Sequence, residues 1–361
     1  MTRTVQTKTT EPSTTQLSTT EASTTQAGEA HASAAHANPA ETVLVLAGGL
    51  SHERDVSLRS GRRVSQALRS RGLEVVESDV DSALLPRLEE LPGAVVFPVL
   101  HGEAGEDGSL REVLALLGVP FVGSIGSACR VAFDKSVANR VVAEAGLTTP
   151  DQIALPHEIF RELGAQTLVR ALGEQLGFPM MVKPSRGGSA LGCSKVSRPD
   201  QLPSAMVGAY AYGAVAVVER FIEGTEVTVA VVDRGTGPEA LPIVEIRPDS
   251  GVYDYTARYT AGATRFLCPA ELPAEVADRC AALGLKIHEV LGLRDLSRTD
   301  MIVNSDGEPV FLEVNVAPGM TETSAVPLAI EAAGWSLGKM CADLVRGAAA
   351  RSSVAAVSAI P

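Results

Sequence analysis

The chain has 361 residues, 45% of them apolar, and a formal net charge of −12. At roughly 100–200 residues per domain, that length suggests two or three domains with a sizeable core. The acidic balance excludes a nucleic-acid groove or an anionic membrane surface as the main partner, although a few local cations suffice for a nucleotide.

Residues 1–40 are Thr, Ser, Ala, Gln and Glu in the main, with no aromatic residue. Such a segment cannot bury enough apolar surface to offset its ordering entropy, so a disordered tail is expected. Residues 42–47 (TVLVLA) read as a buried strand ended by Gly48 and Gly49. A helix over 56–70, strands over 73–78 and 94–100, and a helix over 110–117 follow. Alternating β and α elements imply a parallel sheet covered by helices, a first domain over about 41–134. A helix over 136–146 is expected to turn Val137, Val141, Val142 and Ala145 to one side. Strands over 180–183 (MMVK) and 216–219 (AVVE) place a mixed second domain at about 135–226. Strands over 227–232, 242–246, 299–304 and 309–315, with a helix around 274–291, make a third over about 227–345. Residues 346–361 read as a second, shorter tail. No stretch reaches the roughly 18 apolar residues of a membrane span, and no secretory leader is apparent. The five cysteines are scattered without a C-x-x-C pair, which fits reduced thiols in a cytoplasm.

The segment 298–315 (RTDMIVNSDGEPVFLEVN) is the most informative. Asp306-Gly307 is a strong two-residue hairpin turn, since both positions tolerate positive φ. That loop pairs Asp300 with Glu313 and Arg298 with Asn315. Alternation then gathers Met301, Val303, Val310, Leu312 and Val314 on a dry face and Arg298, Asp300, Glu313 and Asn315 on the other. Two carboxylates with Cβ atoms about 5 Å apart repel unless a cation lies between them, and hard oxygens suit Mg²⁺. The alternative is an ordinary solvated hairpin face. Ile302 and Phe311 fall on the polar side, as over a partly covered site. The turn 317–320 (APGM) leads into a helix start at 321–324, whose free N–H groups suit an anion.

Lys183 ends a strand, and the glycine-rich run 184–192 (PSRGGSALG) follows it. Its backbone N–H groups can turn toward phosphate oxygens, with Ser189 adding a hydroxyl; the bland reading is a flexible hairpin loop. Neither a G-x-x-x-x-G-K-[ST] phosphate loop nor a G-x-G-x-x-G after a strand is present, which argues against a dinucleotide-dependent dehydrogenase. Residues 219–222 (ERFI) read either as an adenine-binding hinge or as a plain strand exit. Residues 101–108 (HGEAGEDG) lie at the carboxyl end of a buried strand, where functional residues of open α/β sheets gather, and a structural loop is the alternative. The aromatic, polar run 253–259 (YDYTARY) reads as a lid or as an aromatic packing cluster.

Taken in order, these segments resemble the D-alanine–D-alanine ligases of the ATP-grasp superfamily, from about Val43 to Leu344. The resemblance is carried by Gly48-Gly49 with 53–57 (ERDVS), by 101–108, by Asp134-Lys135 and by 183–189 (KPSRGGS). It continues through Glu219, Glu226, 253–259, Arg298, Asp300, Glu313, Asn315 and 318–324 (PGMTETS). It implies an α/β fold of mixed α+β content: a three-domain ATP-grasp architecture with an N-terminal parallel-sheet, Rossmann-like domain. ATP would lie between the second and third domains. Lys135 and Lys183 would contact phosphates, Ser189 and Ala190 belong to the phosphate loop, and Arg258 would close over the γ-phosphate. Glu219, Phe221 and Ile222 would form the adenine hinge, and Glu226 would hold the ribose. Asp300, Glu313 and Asn315 would hold two Mg²⁺ ions, with Mn²⁺ as a substitute. Glu53 would take the first amino acid's ammonium, with His101 near its carboxylate, and Ser324 the second substrate's carboxylate. Glu53, Ser189 and Tyr259 would form a hydrogen-bonded group. Arg298 and the Gly319 amide would stabilise the tetrahedral oxyanion.

The implied reaction activates one carboxylate as an acyl phosphate for attack by a second amine, so no side-chain nucleophile is needed. Several positions depart from the family pattern. Gly187-Gly188-Ser189-Ala190 stands for E-G-S-S, Arg258 for a lysine, Val316 for a threonine, and Ala325 for a common leucine. The leading expectation is therefore D-alanyl-D-alanine synthesis for peptidoglycan precursors, by a cytoplasmic homodimer using ATP and small amino acids. A related ligase with another amino acid or a hydroxy acid as second substrate is the runner-up. A non-catalytic nucleotide-binding regulator is the third reading.

Overall fold

A computed structural model of the chain describes residues 42–249, 251–253, 257, 258, 260 and 262–358, with side chains as far as Arg351. The expected tail over 1–40, Tyr259, and residues 254–256 of the expected lid lie outside these residues.

Three strands, β1 (Thr42–Leu46), β2 (Glu74–Ser78) and β3 (Val95–Pro98), form a parallel sheet in the order β2-β1-β3. β1 is central and buried along its length, which requires the near-continuous aliphatic run seen in the sequence. Helix α1 (Arg54–Arg69) covers one face with Val64 and Leu68. A Cβ at Gly61 would lie 2.4 Å from the Ala47 side chain, so only glycine lets α1 approach the sheet this closely. Helices α2 (Leu84–Glu90) and α4 (Ser109–Leu116), either side of the short α3 (Glu103–Glu106), pack Leu84, Leu88, Leu110 and Leu114 on the other face.

Helices α5 (Gly126–Phe133) and α6 (Lys135–Glu144) lead to a second, antiparallel sheet. It comprises β4 (Gln152–Pro156), β5 (Met180–Pro184), β6 (Ser194–Val196) and β7 (Val215–Arg220) in the order β4-β7-β5-β6. Helix α7 (His157–Leu163) leads into α8 (Ala165–Leu176), and α8 packs with α9 (Leu202–Tyr210) on this sheet through Leu172, Leu176 and Met206. The third sheet is antiparallel and holds β8 (Thr225–Asp233), β10 (Val244–Pro248), β11 (Thr264–Leu267), β12 (Leu296–Val303) and β13 (Pro309–Asn315), with β9 (Pro238–Ala240) on β8. One face packs on α10 (Ala274–Val290), α5 and α6, and the other shares a core with the first sheet through Ala230, Val232, Val244 and Leu296. Helices α11 (Ala325–Ala332) and α12 (Leu337–Ser358) follow. No helix among the described residues is long and apolar enough to cross a membrane.

Three expectations are corrected. Residues 346–361 are not a tail throughout: α12 runs to Ser358, buries Val345 and Ala348 against the first sheet's core, and pairs Arg351 with Asp295 at 2.7 and 2.9 Å. The core it joins includes residues as distant as Val43, Val64 and Val95, so the alanine-rich stretch looks unpartnered when read locally. In α6, Asp134 caps the helix by accepting from the Ser136 and Val137 N–H groups. That phase turns Lys135, Ala138, Asn139 and Val142 inward and leaves Val137 42% exposed, so the expected Val137/Ala145 side faces out.

The third correction is in the hairpin. The loop is one residue longer than two: the Asn304 N–H donates to the Glu308 carbonyl, and Asn304 Oδ1 accepts from the Asp306 and Glu308 N–H groups at 3.0 and 2.9 Å. A β-bulge between Asp300 and Met301 then restores the register, so Arg298 still faces Asn315 and Asp300 still faces Glu313. Between the longer loop and the bulge, two side chains exchange faces. Phe311 enters the core with Met301 and Val303, whereas Leu312 joins Ile302 and Glu313 on the wall of a cavity.

Candidate active site

Two adjoining cavities occupy the space bounded by the three sheets. The larger, about 930 Å³, is lined by Lys183, Ala190, Glu219, Phe221, Ile222 and Glu226. The smaller, about 490 Å³, is lined by Glu53, His101, Ser189, Arg298, Asn315, Gly319 and Ser324. Lys135, Gly188, Tyr253, Arg258, Asp300 and Glu313 line both and form the passage between them. Every expected site residue among those described therefore borders one of two adjoining spaces, although they come from segments scattered from Glu53 to Ser324.

The passage is built from opposed charges. Lys135, at the start of α6, lies 3.1 Å from Glu313 and donates to the Gly187 carbonyl at 2.6 Å. Lys183, at the end of β5, lies 2.8 Å from Glu219. Burial alone would lower the Lys183 ammonium, but the charges of Glu219 and Glu313 outweigh it and hold it above its ordinary value. Burial would likewise raise the Glu313 carboxyl, yet Lys135, Lys183 and Arg258 overcome it and hold the group at about 2. Glu226 is pushed up to about 8, chiefly by burial, with Asp300 and Glu313 adding to it against the pull of Arg258. Arg298 grips Asp300 with two hydrogen bonds of 2.8 Å, and the Thr228 hydroxyl donates to the same carboxylate at 2.6 Å. Arg258 stacks 4.3 Å from the Tyr253 ring centroid, and its Nε has no hydrogen-bond partner among the described residues.

Glycine and strained backbone shape the loop after β5. Ser189 and Ala190 both adopt positive φ, +56° and +55°. That turn brings the Ser189 hydroxyl onto Glu53, to which it donates a hydrogen bond. Phe221 lines the larger cavity; its N–H is engaged by the Pro179 carbonyl at 3.1 Å, and Lys195 Nζ lies 3.8 Å from its ring centroid. On the opposite wall, a Cβ at Gly319 would meet Ser324 Oγ at 2.8 Å, so the turn closes onto the α11 N-cap only with glycine. The expected helix start at 321–324 is instead this turn. The Ser324 hydroxyl bonds Thr321 N and Oγ1 at 3.1 and 2.8 Å, and the helix begins at Ala325.

Asp300, Glu313 and Asn315 are hard oxygen donors on one strand pair facing the same space. Among the described residues, no cluster of three or more His, Cys, Asp or Glu is arranged around a common metal position. Hard oxygen donors of this kind suit Mg²⁺, which is usually held by one or two carboxylates together with substrate phosphates.

Sequence reasoning missed several residues here. Thr228 reaches Asp300 from the neighbouring strand, where the two face each other in register. Glu106, within the expected 101–108 loop, is buried and accepts from the Gly102 N–H at 2.8 Å. Ser60 contacts both His101 and the backbone of Met320. The signal for Ser60 was available: Ser57, Ser60, Gly61 and Val64 share the buried face of α1, where small polar residues need partners.

Comparison with known proteins now bears on this geometry. Residues 141–346 match the family model "D-ala D-ala ligase C-terminus" and 77–124 match "D-ala D-ala ligase N-terminus". A D-alanine–D-alanine ligase of Desulforudis audaxviator is 41% identical over 303 residues, covering 84% of this chain and 96% of the relative. One from Bordetella petrii is 38% identical, covering 85% and 92%. Among solved structures, the Bacillus anthracis D-alanine–D-alanine ligase complexed with ATP superposes with a TM-score of 0.72 at 28% identity, over 86% of this chain and 98% of its own. The VanG D-Ala:D-Ser ligase of Enterococcus faecalis gives 0.73 at 27%, over 84% and 98%.

Proposed function

The chain belongs to the D-alanine–D-alanine ligase family of the ATP-grasp fold, and from that premise we propose how its residues divide the work. It is an ATP-dependent ligase that forms D-alanyl-D-alanine for peptidoglycan precursors. The observation that carries the residue assignment is the pair of cavities joined through one charged passage.

In this reading ATP fills the larger cavity, its base beside Phe221 and Ile222 and its ribose at Glu226. Its phosphates run toward Lys183, Lys135 and the loop of Ser189 and Ala190. Arg258 meets the γ-phosphate from the lid side. Asp300, Glu313 and Asn315 would hold Mg²⁺, which neutralises phosphate charge during transfer. The first D-alanine lies in the smaller cavity with its ammonium on Glu53, so its carboxylate faces the passage. A carboxylate oxygen attacks the γ-phosphorus, ADP leaves, and an acyl phosphate forms. The second D-alanine, its carboxylate at Ser324, attacks the carbonyl carbon through its neutral amine. Arg298 and the Gly319 N–H hold the oxyanion until phosphate departs. The Glu53–Ser189 hydrogen bond ties the phosphate loop to the first substrate, and Tyr259 would complete that group. Two Mg²⁺ ions, a homodimer and residence in the cytoplasm complete the reading.

The test is incubation of the protein with MgATP and D-alanine, following ADP, phosphate and dipeptide. All three are expected in equal amounts. A second reading, with a larger amino acid or a hydroxy acid as acceptor, draws on Ala325, a small residue lining the smaller cavity. Phosphate release with such an acceptor and none with D-alanine would establish it. Absence of phosphate release with every amino acid or hydroxy acid tried would leave only the nucleotide-binding regulator.

A further inference from the structure

We infer that Ser60 and His101 act as one positioning pair that fixes the turn over 317–321, and with it the Gly319 amide and Asn315, against the amino-acid cavity. The inference rests on the ligase reading above. His101 is buried, with Nδ1 2.8 Å from the Ala317 carbonyl and Nε2 3.2 Å from Ser60 Oγ. A carbonyl oxygen only accepts, so Nδ1 carries the hydrogen. Burial holds the imidazole below its ordinary pKa, which keeps the ring neutral and makes Nε2 an acceptor. The Ser60 hydroxyl therefore donates to Nε2, and its oxygen accepts from the Met320 N–H at 3.0 Å. The chain of bonds starts and ends in the same turn, one residue beyond Gly319 and two before it.

The backbone around Gly319 is held from both directions. Arg63, also on α1, donates to the Met320 and Thr321 carbonyls at 3.1 and 2.7 Å. Asn315 Oδ1 accepts from the Ala317 N–H at 2.8 Å. Ala317 and Met320 are thus each fixed through both N–H and C=O, and the Gly319 amide between them has its direction set by its neighbours. Ser60 is fully buried and does not border the cavity, so it acts only through this turn. Both His101 nitrogens are engaged, so a direct bond to a substrate carboxylate would break one of these contacts. His101 is on this argument a positioning residue, although its ring lines the cavity.

The experiment compares kcat and KM for ATP and D-alanine in the parent, Ser60→Ala, His101→Asn, His101→Ala and the Ser60→Ala/His101→Ala double variant. Ser65→Ala is the control: it removes an equally buried hydroxyl of α1 that has no hydrogen-bond partner among the described residues. Ser60→Ala should lower kcat by about 10- to 100-fold, the scale of a small misplacement of catalytic groups, with both KM values within about twofold. His101→Asn should recover activity relative to His101→Ala, because its amide can still donate to the Ala317 carbonyl. The double variant should be no worse than His101→Ala, since the pair works as a unit. Parental kcat in Ser60→Ala overturns the inference. So does a His101→Ala variant that raises the KM for D-alanine while keeping kcat, as a carboxylate contact would. Hydrogen exchange of the 317–324 segment gives a readout independent of turnover: Ser60→Ala should speed it and Ser65→Ala should not. If the parent turns over no amino acid, the ligase reading fails, and the exchange result still decides whether the pair holds the turn.

Discussion

Around Glu313 the buried cations of the site converge, and its carboxyl is correspondingly acidic despite burial. Glu313→Gln keeps the shape and removes the charge that balances Lys135 and faces the phosphate path. Turnover should fall roughly 100-fold or more, the scale of losing a charge at a preorganised site, while a cooperative melt is retained. Near-parental turnover would mean that the β12–β13 carboxylates are ordinary surface charges. Glu106 is the opposite case. Burial, reinforced by the charge of Glu53, pushes its carboxyl from 4.5 up to about 7, against the lowering effect of the Gly102 N–H. The folded state thus binds this proton more tightly than the unfolded chain. That stabilisation is fully present below the unfolded value and is lost as pH rises through about 7. Between pH 4.5 and about 7 the loss is on the order of 3 kcal/mol. Glu106→Gln keeps an acceptor for Gly102 and does not titrate, so its thermal midpoint should decline less than the parent's from pH 5 to pH 8. Parallel curves would show that Glu106 carries no such proton.

At the scale of elements, the hairpin shows how far local sequence reaches. Its Asp-Gly signal located the turn, and the two-residue loop read from it paired Asp300 with Glu313. The pairing held only because a one-residue longer loop and a one-residue bulge cancel. The loop length comes from the Asn304 side chain, which takes amides that a two-residue turn would leave to the ladder. The bulge has no local signal, and only the longer loop and the bulge together make Phe311 core and Leu312 cavity wall while keeping Asp300 opposite Glu313. The end of α12 was illegible for a different reason, since its partners lie far away in sequence. Asp295 receives Gly123 N–H at 2.7 Å and both bonds from Arg351. Arg351→Ala would leave this buried carboxylate with less compensation. Arg351 is itself 37% exposed, so water offsets part of the loss, and about 1–2 kcal/mol of destabilisation is expected. A drop of roughly 2–3 °C in thermal midpoint should accompany it. An unchanged midpoint would return the segment to the status of a tail.

Over the whole molecule, net charge and local charge point in opposite directions. The chain carries −12 overall, yet Lys135, Lys183, Arg258 and Arg298 gather at the two cavities. Composition excluded polyanionic partners but said nothing about this focus, because the cations are spread over more than 150 residues of sequence. Ordered short motifs supplied what composition could not, because each contributes residues that border the cavities. Residues 1–40 contribute no such motif. They are rich in Thr, Ser, Ala, Gln and Glu, contain no aromatic residue, and precede the first strand, which begins at Thr42. Within its sheet β1 is already flanked on both sides, by β2 and β3, with helices over both faces. A segment of that composition has little apolar surface to offset the cost of ordering, roughly 1–2 kcal/mol per residue for the backbone alone. Deleting residues 1–40 should therefore leave both the thermal midpoint and kcat/KM for D-alanine at parental values. The measurement is a melt and a phosphate-release assay on the full chain and the shortened one under identical conditions. A fall of several degrees would show that these residues dock on the body, and a changed KM at constant midpoint would show that they reach the cavities.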